Sequence, residues 1–269
     1  MKLFDVSLRD GLQSIKKIYT LSEKKDLYHK IVQKYRPSNI EIGSIVSSKV
    51  LPQMQNSLDL FKHTQKLGAK NIYMLTPNLN SVNLALNHNV SNFSLITSVS
   101  NEFQIKNINK SLVETKKDLE NIFDLLNTSE VKNIKLYVSC ITECPITGNK
   151  DLKYICNELD YYIRKYENLT ELCLSDTCGT LNFYDFKNII DYIFMYYDST
   201  ILDKISLHLH KNKNMNETYD ILNYAYNNGI RKFDVSCLEN AGGCSVTMNN
   251  SNMKENLHYD EINSLLFNK

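Results

Sequence analysis

His208 and His210 stand two residues apart in Ile205-Ser206-Leu207-His208-Leu209-His210. Side chains two apart on a β-strand point to the same face, so a strand here projects two imidazoles in parallel. Neutral imidazole is a common ligand for divalent transition metals. Such a pair needs an anion beside it, and Asp10, in Ser7-Leu8-Arg9-Asp10-Gly11-Leu12-Gln13, is the natural partner. One carboxylate and two imidazoles leave positions open on an octahedral ion such as Mg²⁺ or Mn²⁺, or on non-haem iron, for a substrate to fill. Arg9, next to that carboxylate, is suited to steadying a developing oxyanion. Cys244 follows two glycines in Gly242-Gly243-Cys244, a flexible loop that can carry a thiol over the site. Each residue also has a plainer reading: a satisfied core histidine, a helix N-cap for Asp10, an inert buried thiol for Cys244. Only a fold that gathers them makes a site.

Eight short apolar runs mark the elements that must do the gathering. They lie near Lys2–Leu8, Asn39–Gly43, Asn71–Leu75, Phe93–Thr97, Ile134–Ser139, Glu171–Ser175, Ile205–His210 and Lys232–Ser236. Helix-period stretches fill most of the gaps. One starts at Ser22 and stops at Pro37. Ser111-Leu112-Val113-Glu114 reads as a capping box, and a third helix runs from a cap at Asn216 to Gly229. The gap Asn78–Asn92 carries the weakest helical pattern. Eight alternations in a chain of 269 residues predict a single (β/α)₈ TIM barrel over residues 1–269, with its active site at the C-terminal ends of the strands. A doubly wound open sheet is disfavoured because no Gly-rich phosphate loop follows the first strand. The strand ends carry the expected polar residues: Arg9, Asp10 and Gln13; Glu41 and Ser44; Asn78; Cys140; Asp176; His208 and His210; then Cys244.

Composition narrows the function class. A net charge of +1 with 23% charged residues gives no basic surface for nucleic acid and none for an anionic membrane. The seven cysteines are odd in number and scattered, which suits a reducing compartment. With no apolar or Arg-rich leader, no run near the ~20 residues of a membrane span and no peroxisomal tail, the chain is expected to be cytoplasmic.

The residues resemble the 3-hydroxy-3-methylglutaryl-CoA lyase family, within the DRE-type TIM-barrel metallolyases that share a pyruvate carboxyltransferase-like domain. The matching segments run in one order over nearly the whole chain: Asp5 through Gln13; Ile40-Glu41 with Ser44, Val46-Ser47 and Lys49 through Met54; Leu75-Thr76-Pro77-Asn78; Ser98 through Phe103; and Lys106 through Asn109. Tyr137 through Cys140, Cys144-Pro145, Asp176-Thr177 with Gly179, His208, His210 and Gly242-Gly243-Cys244 complete the series.

The resemblance implies a carbon–carbon lyase that cleaves 3-hydroxy-3-methylglutaryl-CoA, or a close 3-hydroxyacyl-CoA, to acetyl-CoA and acetoacetate. It implies a divalent cation, Mg²⁺ or Mn²⁺, held by Asp10, His208, His210 and a fourth ligand, Asn252, with Asn250 the alternative. Arg9 would stabilise the enolate, Cys244 with Asp176 or a histidine such as His208 would handle protons, and Glu41 would orient Arg9. Gln13, Ser44, Asn78 and Cys140 would line or support the substrate. The expected partner is the acyl-CoA itself, with no nucleic acid or membrane and with a homodimer left open. A Claisen-type synthase and a barrel that has lost catalysis are the alternatives. Three departures from the family stand out: Lys211 where it has Asp, Ser245-Val246-Thr247-Met248 in place of Pro-Tyr-Ala, and Glu255-Asn256 where a Glu-Asp pair is expected.

Overall fold

In the computed structural model, which describes residues 1–249 and 252–267, all eight expected strands form. They are β1 (Lys2–Asp5), β2 (Asn39–Ser44), β3 (Ile72–Leu75), β4 (Asn92–Ser98), β5 (Asn133–Ser139), β8 (Glu171–Asp176), β9 (Ile205–Leu209) and β10 (Lys232–Val235); a small separate hairpin supplies β6 (Glu143–Cys144) and β7 (Gly148–Asn149). The eight close into a barrel in the order β1-β10-β9-β8-β5-β4-β3-β2. Every pairing in it is parallel, and β1 against β10 is the seam where the first and last strands meet.

Local chemistry sets the helix ends. Ser111 and Glu114 form the expected capping box, and helix Leu112–Asn127 buries Leu119, Ile122, Phe123 and Leu126. The helix expected from Ser22 is capped by Thr20 with Glu23 and spans Leu21–Lys30. The cap expected at Asn216 falls on Asn214, before helix Met215–Asn227. In both cases the capping side chain sits one or two residues earlier than the apolar period shows, because a cap answers to orphan N–H groups rather than to burial. The weakly patterned gap after β3 holds helix Leu79–Asn87. No described helix is long and apolar enough to cross a membrane.

The distribution of polarity in the barrel is inverted from the usual. TIM-barrel interiors are typically filled by branched apolar side chains. Here Ile134, Leu136 and Val138 of β5, Leu172 and Leu174 of β8, and Ile205, Leu207 and Leu209 of β9 belong to the large core shared with the helices. The alternate residues include Lys135, Glu171, Ser206, His208 and Asp234, all buried, together with two small apolar clusters, Phe4-Val6-Tyr73 and Leu75-Tyr137-Cys173. Burying charge costs stability unless each charge is paired.

The C-terminal helix Tyr259–Phe267 is fastened to the first strand. The buried Tyr259 hydroxyl donates to Asp5 Oδ2 at 2.6 Å, and Ser7 donates to the same carboxylate through its backbone N–H and its hydroxyl. Burial pushes the Asp5 carboxyl up to about 6 in spite of these bonds. Its protonated form therefore favours the fold, a contribution fully present below the ordinary carboxylate range and lost as pH rises through about 6. Tyr259→Phe should then lower the unfolding free energy by about 1.5–3 kcal/mol at pH 8, where the acceptor is ionised. At pH 5, where it is protonated, the loss should be smaller; urea unfolding at the two pH values measures the difference.

Candidate metal centre and active-site pocket

Asp10 and Arg9 reach the barrel mouth because the chain leaves β1 through one turn of π-helix, Ser7–Gly11. The Gly11 N–H bonds back to the Val6 carbonyl at 3.0 Å, a wide turn of a kind frequent at functional sites. Across the mouth, β9 delivers His208 and His210 with their rings 4.9 Å apart. Both imidazoles are held at Nδ1: His208 faces Asp234 Oδ2 at 3.0 Å, and His210 faces the Asp176 carbonyl oxygen at 2.8 Å. With Nδ1–H donating in each ring, both Nε2 lone pairs are left for the site. They lie 3.8 and 3.5 Å from Asp10 Oδ2. The three ligand atoms fall within 4.8 Å of one another, close to the span that one ion with bonds of about 2.1 Å bridges. His210 Nε2 is buried without a hydrogen-bond partner, which is what a missing ligand bond leaves behind.

Arg9 is sandwiched between anions. Its guanidinium bonds Asp10 Oδ1 at 2.6 Å and Glu41 Oε2 on the other side, and it sits 5.2 Å from the Tyr137 ring. Burial opposes ionisation of Asp10, but Arg9 and the two histidines hold its carboxyl well below the usual range. The Cys244 thiol is half-buried, 3.4 Å from Asn107 Oδ1; desolvation pushes it above its ordinary value, so it keeps its proton at neutral pH.

One pocket is lined by Arg9, Asp10, Gln13, Ser44, His208, His210 and Cys244, so the fold brings these seven expected residues together. Glu41 stands behind Arg9, fully buried, with Oε1 unpartnered. Four expected residues lie off the pocket wall. Asn78 is the cap of helix Leu79–Asn87, its side chain accepting from Ser81 N–H. Cys140 is fully buried at a left-handed position, φ +63°, off the pocket wall. Asp176 reaches the site only through its carbonyl, because its carboxylate accepts from the N–H groups of Thr180 and Leu181. Asn252 is exposed, and Asn250 lies outside the described residues.

The asparagine bridged to His210 through its backbone is Asn256. It is 3% exposed, with both side-chain polar atoms unpartnered among the described residues, and the bridge is antiparallel. Its N–H bonds the Ala241 carbonyl at 3.0 Å, and Gly243 N–H reaches Asp10 Oδ2 at 3.3 Å. Lys211 pairs with Glu255 at 2.9 Å and Glu261 at 2.8 Å, so it latches this segment to the end of β9. Sequence reading also passed over Phe103, Asn107, Ile108 and Val246 on the pocket wall; the first three lie in or next to segments already carrying the family resemblance.

Gly242 allows the close approach. Its φ is +142°, and a Cβ there would fall 2.6 Å from Asn256 N and 2.8 Å from Asn256 Cγ. Gly242→Ala should therefore cost on the order of 2 kcal/mol, or about 4–8 °C in thermal unfolding. An unchanged melting temperature would mean that Asn256 is not packed there.

Fold and site define a parallel α/β barrel with a candidate carboxylate–histidine metal centre at the C-terminal ends of its strands. The HMGL-like family model matches residues 1–258, and the chain belongs to that family. A lyase of Pseudomonas aeruginosa, named for 3-hydroxy-3-isohexenylglutaryl-CoA and hydroxy-methylglutaryl-CoA, is 28% identical over 183 residues, 66% of this chain and 58% of its own length. The mitochondrial hydroxymethylglutaryl-CoA lyase of Arabidopsis thaliana is 28% identical over 181 residues, 66% of this chain and 37% of its own. The aligned stretch thus spans from about a third to rather more than half of these relatives. The solved structure of the HMG-CoA lyase from Brucella melitensis shares the fold, with a TM-score of 0.82 and 21% identity over 99% of this chain and 90% of that one.

Proposed function

We propose that this barrel is a divalent-metal-dependent lyase that cleaves 3-hydroxy-3-methylglutaryl-CoA, or a close 3-hydroxyacyl-CoA, into acetyl-CoA and a 3-oxo acid. The observation that carries the reading is the convergence of Asp10, His208, His210, Arg9 and Cys244 on one pocket in a chain of the HMGL-like family. The donor set, one carboxylate and two imidazoles with an orphaned Nε2, fits Mg²⁺ or Mn²⁺ with positions left open. Asn256, buried and unpartnered beside His210, is the fourth ligand in this reading.

A divalent cation held by Asp10, His208 and His210 would supply Lewis acidity to the substrate's oxygens. The hydroxyl proton passes to Asp10, the carboxylate on the pocket wall among the described residues, while Glu41 behind Arg9 holds the guanidinium in place. As the C2–C3 bond breaks, charge develops on the thioester oxygen, and the Arg9 guanidinium stabilises it there. Cys244, kept as a thiol by burial, delivers a proton to the acetyl carbon. Leu51, Leu75, Ile96, Phe103 and Val246 give the pocket an apolar wall that excludes water from the enolate. The test is release of acetyl-CoA and acetoacetate from 3-hydroxy-3-methylglutaryl-CoA with and without Mn²⁺. Metal-dependent release is expected, and its absence with metal bound would move the activity to another acyl-CoA.

A further inference from the structure

Beneath His208, inside the barrel, lies a set of charges that the cleavage reaction does not use. Lys135 is fully buried, paired with Asp234 Oδ1 at 2.5 Å and with Glu171 Oε1 at 2.8 Å. Its ammonium lies 3.8 Å from the centre of the Phe4 ring. Asp234 turns its other oxygen, Oδ2, to His208 Nδ1. Replacing buried ion pairs with apolar side chains of similar volume is often neutral or stabilising, so stability alone gives no reason for these groups to stand here. The two site histidines also differ. His210, at the rim, is held by a backbone carbonyl. His208, one step deeper in the lumen, is held by a side-chain carboxylate.

We propose that Asp234, clamped by Lys135, is a positioning residue that holds His208 in the Nδ1–H form and so aims Nε2 at the divalent cation. The inference rests on the reading that the Asp10, His208 and His210 triad binds metal. Asp234 uses one oxygen for each partner: Lys135 fixes the carboxylate's rotation, and the carboxylate fixes the ring. A carboxylate behind a ligating histidine sets its tautomer and orientation and strengthens the ligand, and its loss typically weakens metal binding 10- to 100-fold. Glu171 shares the lysine and makes no contact with either histidine, which makes it the natural control.

The experiment is Mn²⁺ titration of the full chain, unmodified and as Asp234→Asn and Glu171→Gln. In Asp234→Asn an amide must face both a lysine and an imidazole. With its oxygen on Lys135, its NH₂ points at Nδ1 and forces the wrong tautomer. Binding should weaken about 10- to 100-fold in this variant and stay within about twofold in Glu171→Gln. Unchanged affinity in Asp234→Asn, or an equal loss in both variants, overturns the positioning role while leaving the metal reading intact. An unmodified chain that binds no Mn²⁺ overturns both. ¹⁵N NMR of the histidines in the unmodified, metal-free protein is an independent check, whatever the variants do to folding: His208 should be protonated at Nδ1, and an Nε2–H ring overturns the proposal.

Discussion

His210→Ala is expected to lower the rate of metal-dependent acyl-CoA cleavage on the order of 10³-fold or more, with the fold retained. His210 is 4% exposed at the rim of the barrel, its Nδ1 tied to the Asp176 carbonyl and its Nε2 without a partner. It contributes little to the core that the missing ligand bond does not explain. Removing one of the four proposed protein donors from an ion that polarises the substrate would forfeit several kcal/mol of transition-state stabilisation, and about 4 kcal/mol is a factor of 10³ in rate. Steady-state rates at saturating Mn²⁺, with a Mn²⁺ titration alongside, measure both halves of the claim. Near-normal turnover with normal metal affinity would remove His210 from the centre.

Cys244→Ser is expected to separate chemistry from binding. The thiol sits on the loop whose Gly243 N–H touches Asp10, yet it is not among the three grouped ligands. A serine hydroxyl occupies nearly the same space but is a far poorer acid. Turnover should fall about 10²- to 10⁴-fold, the range of a lost general acid, while Mn²⁺ affinity stays within about twofold. A rate within threefold of the unmodified enzyme would show that another group protonates the departing carbon.

The barrel was legible because β5, β8 and β9 alternate by the same rule that sets strand geometry. Ile134, Leu136 and Val138 on one face against Lys135 and Tyr137 on the other is a period of two that composition cannot hide. Asp10, His208 and His210 were legible for a related reason, since spacing within a turn or strand fixes where side chains point. The asparagine proposed as the fourth ligand was not. Between Cys244 and the C-terminal helix no period constrains the chain, and sequence offers several asparagines there. Only the bridge between His210 and Asn256 distinguishes the buried one from exposed Asn252. Asn78 was ambiguous in sequence because one residue type serves both as a helix cap and as a substrate contact. The pairing of Lys135 with Asp234 was hidden too, because partners across a barrel lumen leave no trace in sequence separation.

The seam between β1 and β10 bears on the order of events as the protein is made. Asp10 follows the first strand, whereas Gly243 and Asn256 follow the last, so the cage closes only when residues from both ends of the chain have met. Contacts of such long separation form late and against a large loop-closure entropy. A nascent chain on the ribosome that has already exposed both histidines still lacks the strand that shuts the barrel beside them. A cation that binds only the closed cage would act as a clasp on the finished barrel. At a hundred times its dissociation constant it adds about 2.7 kcal/mol to the finished barrel and nothing to the steps that build it.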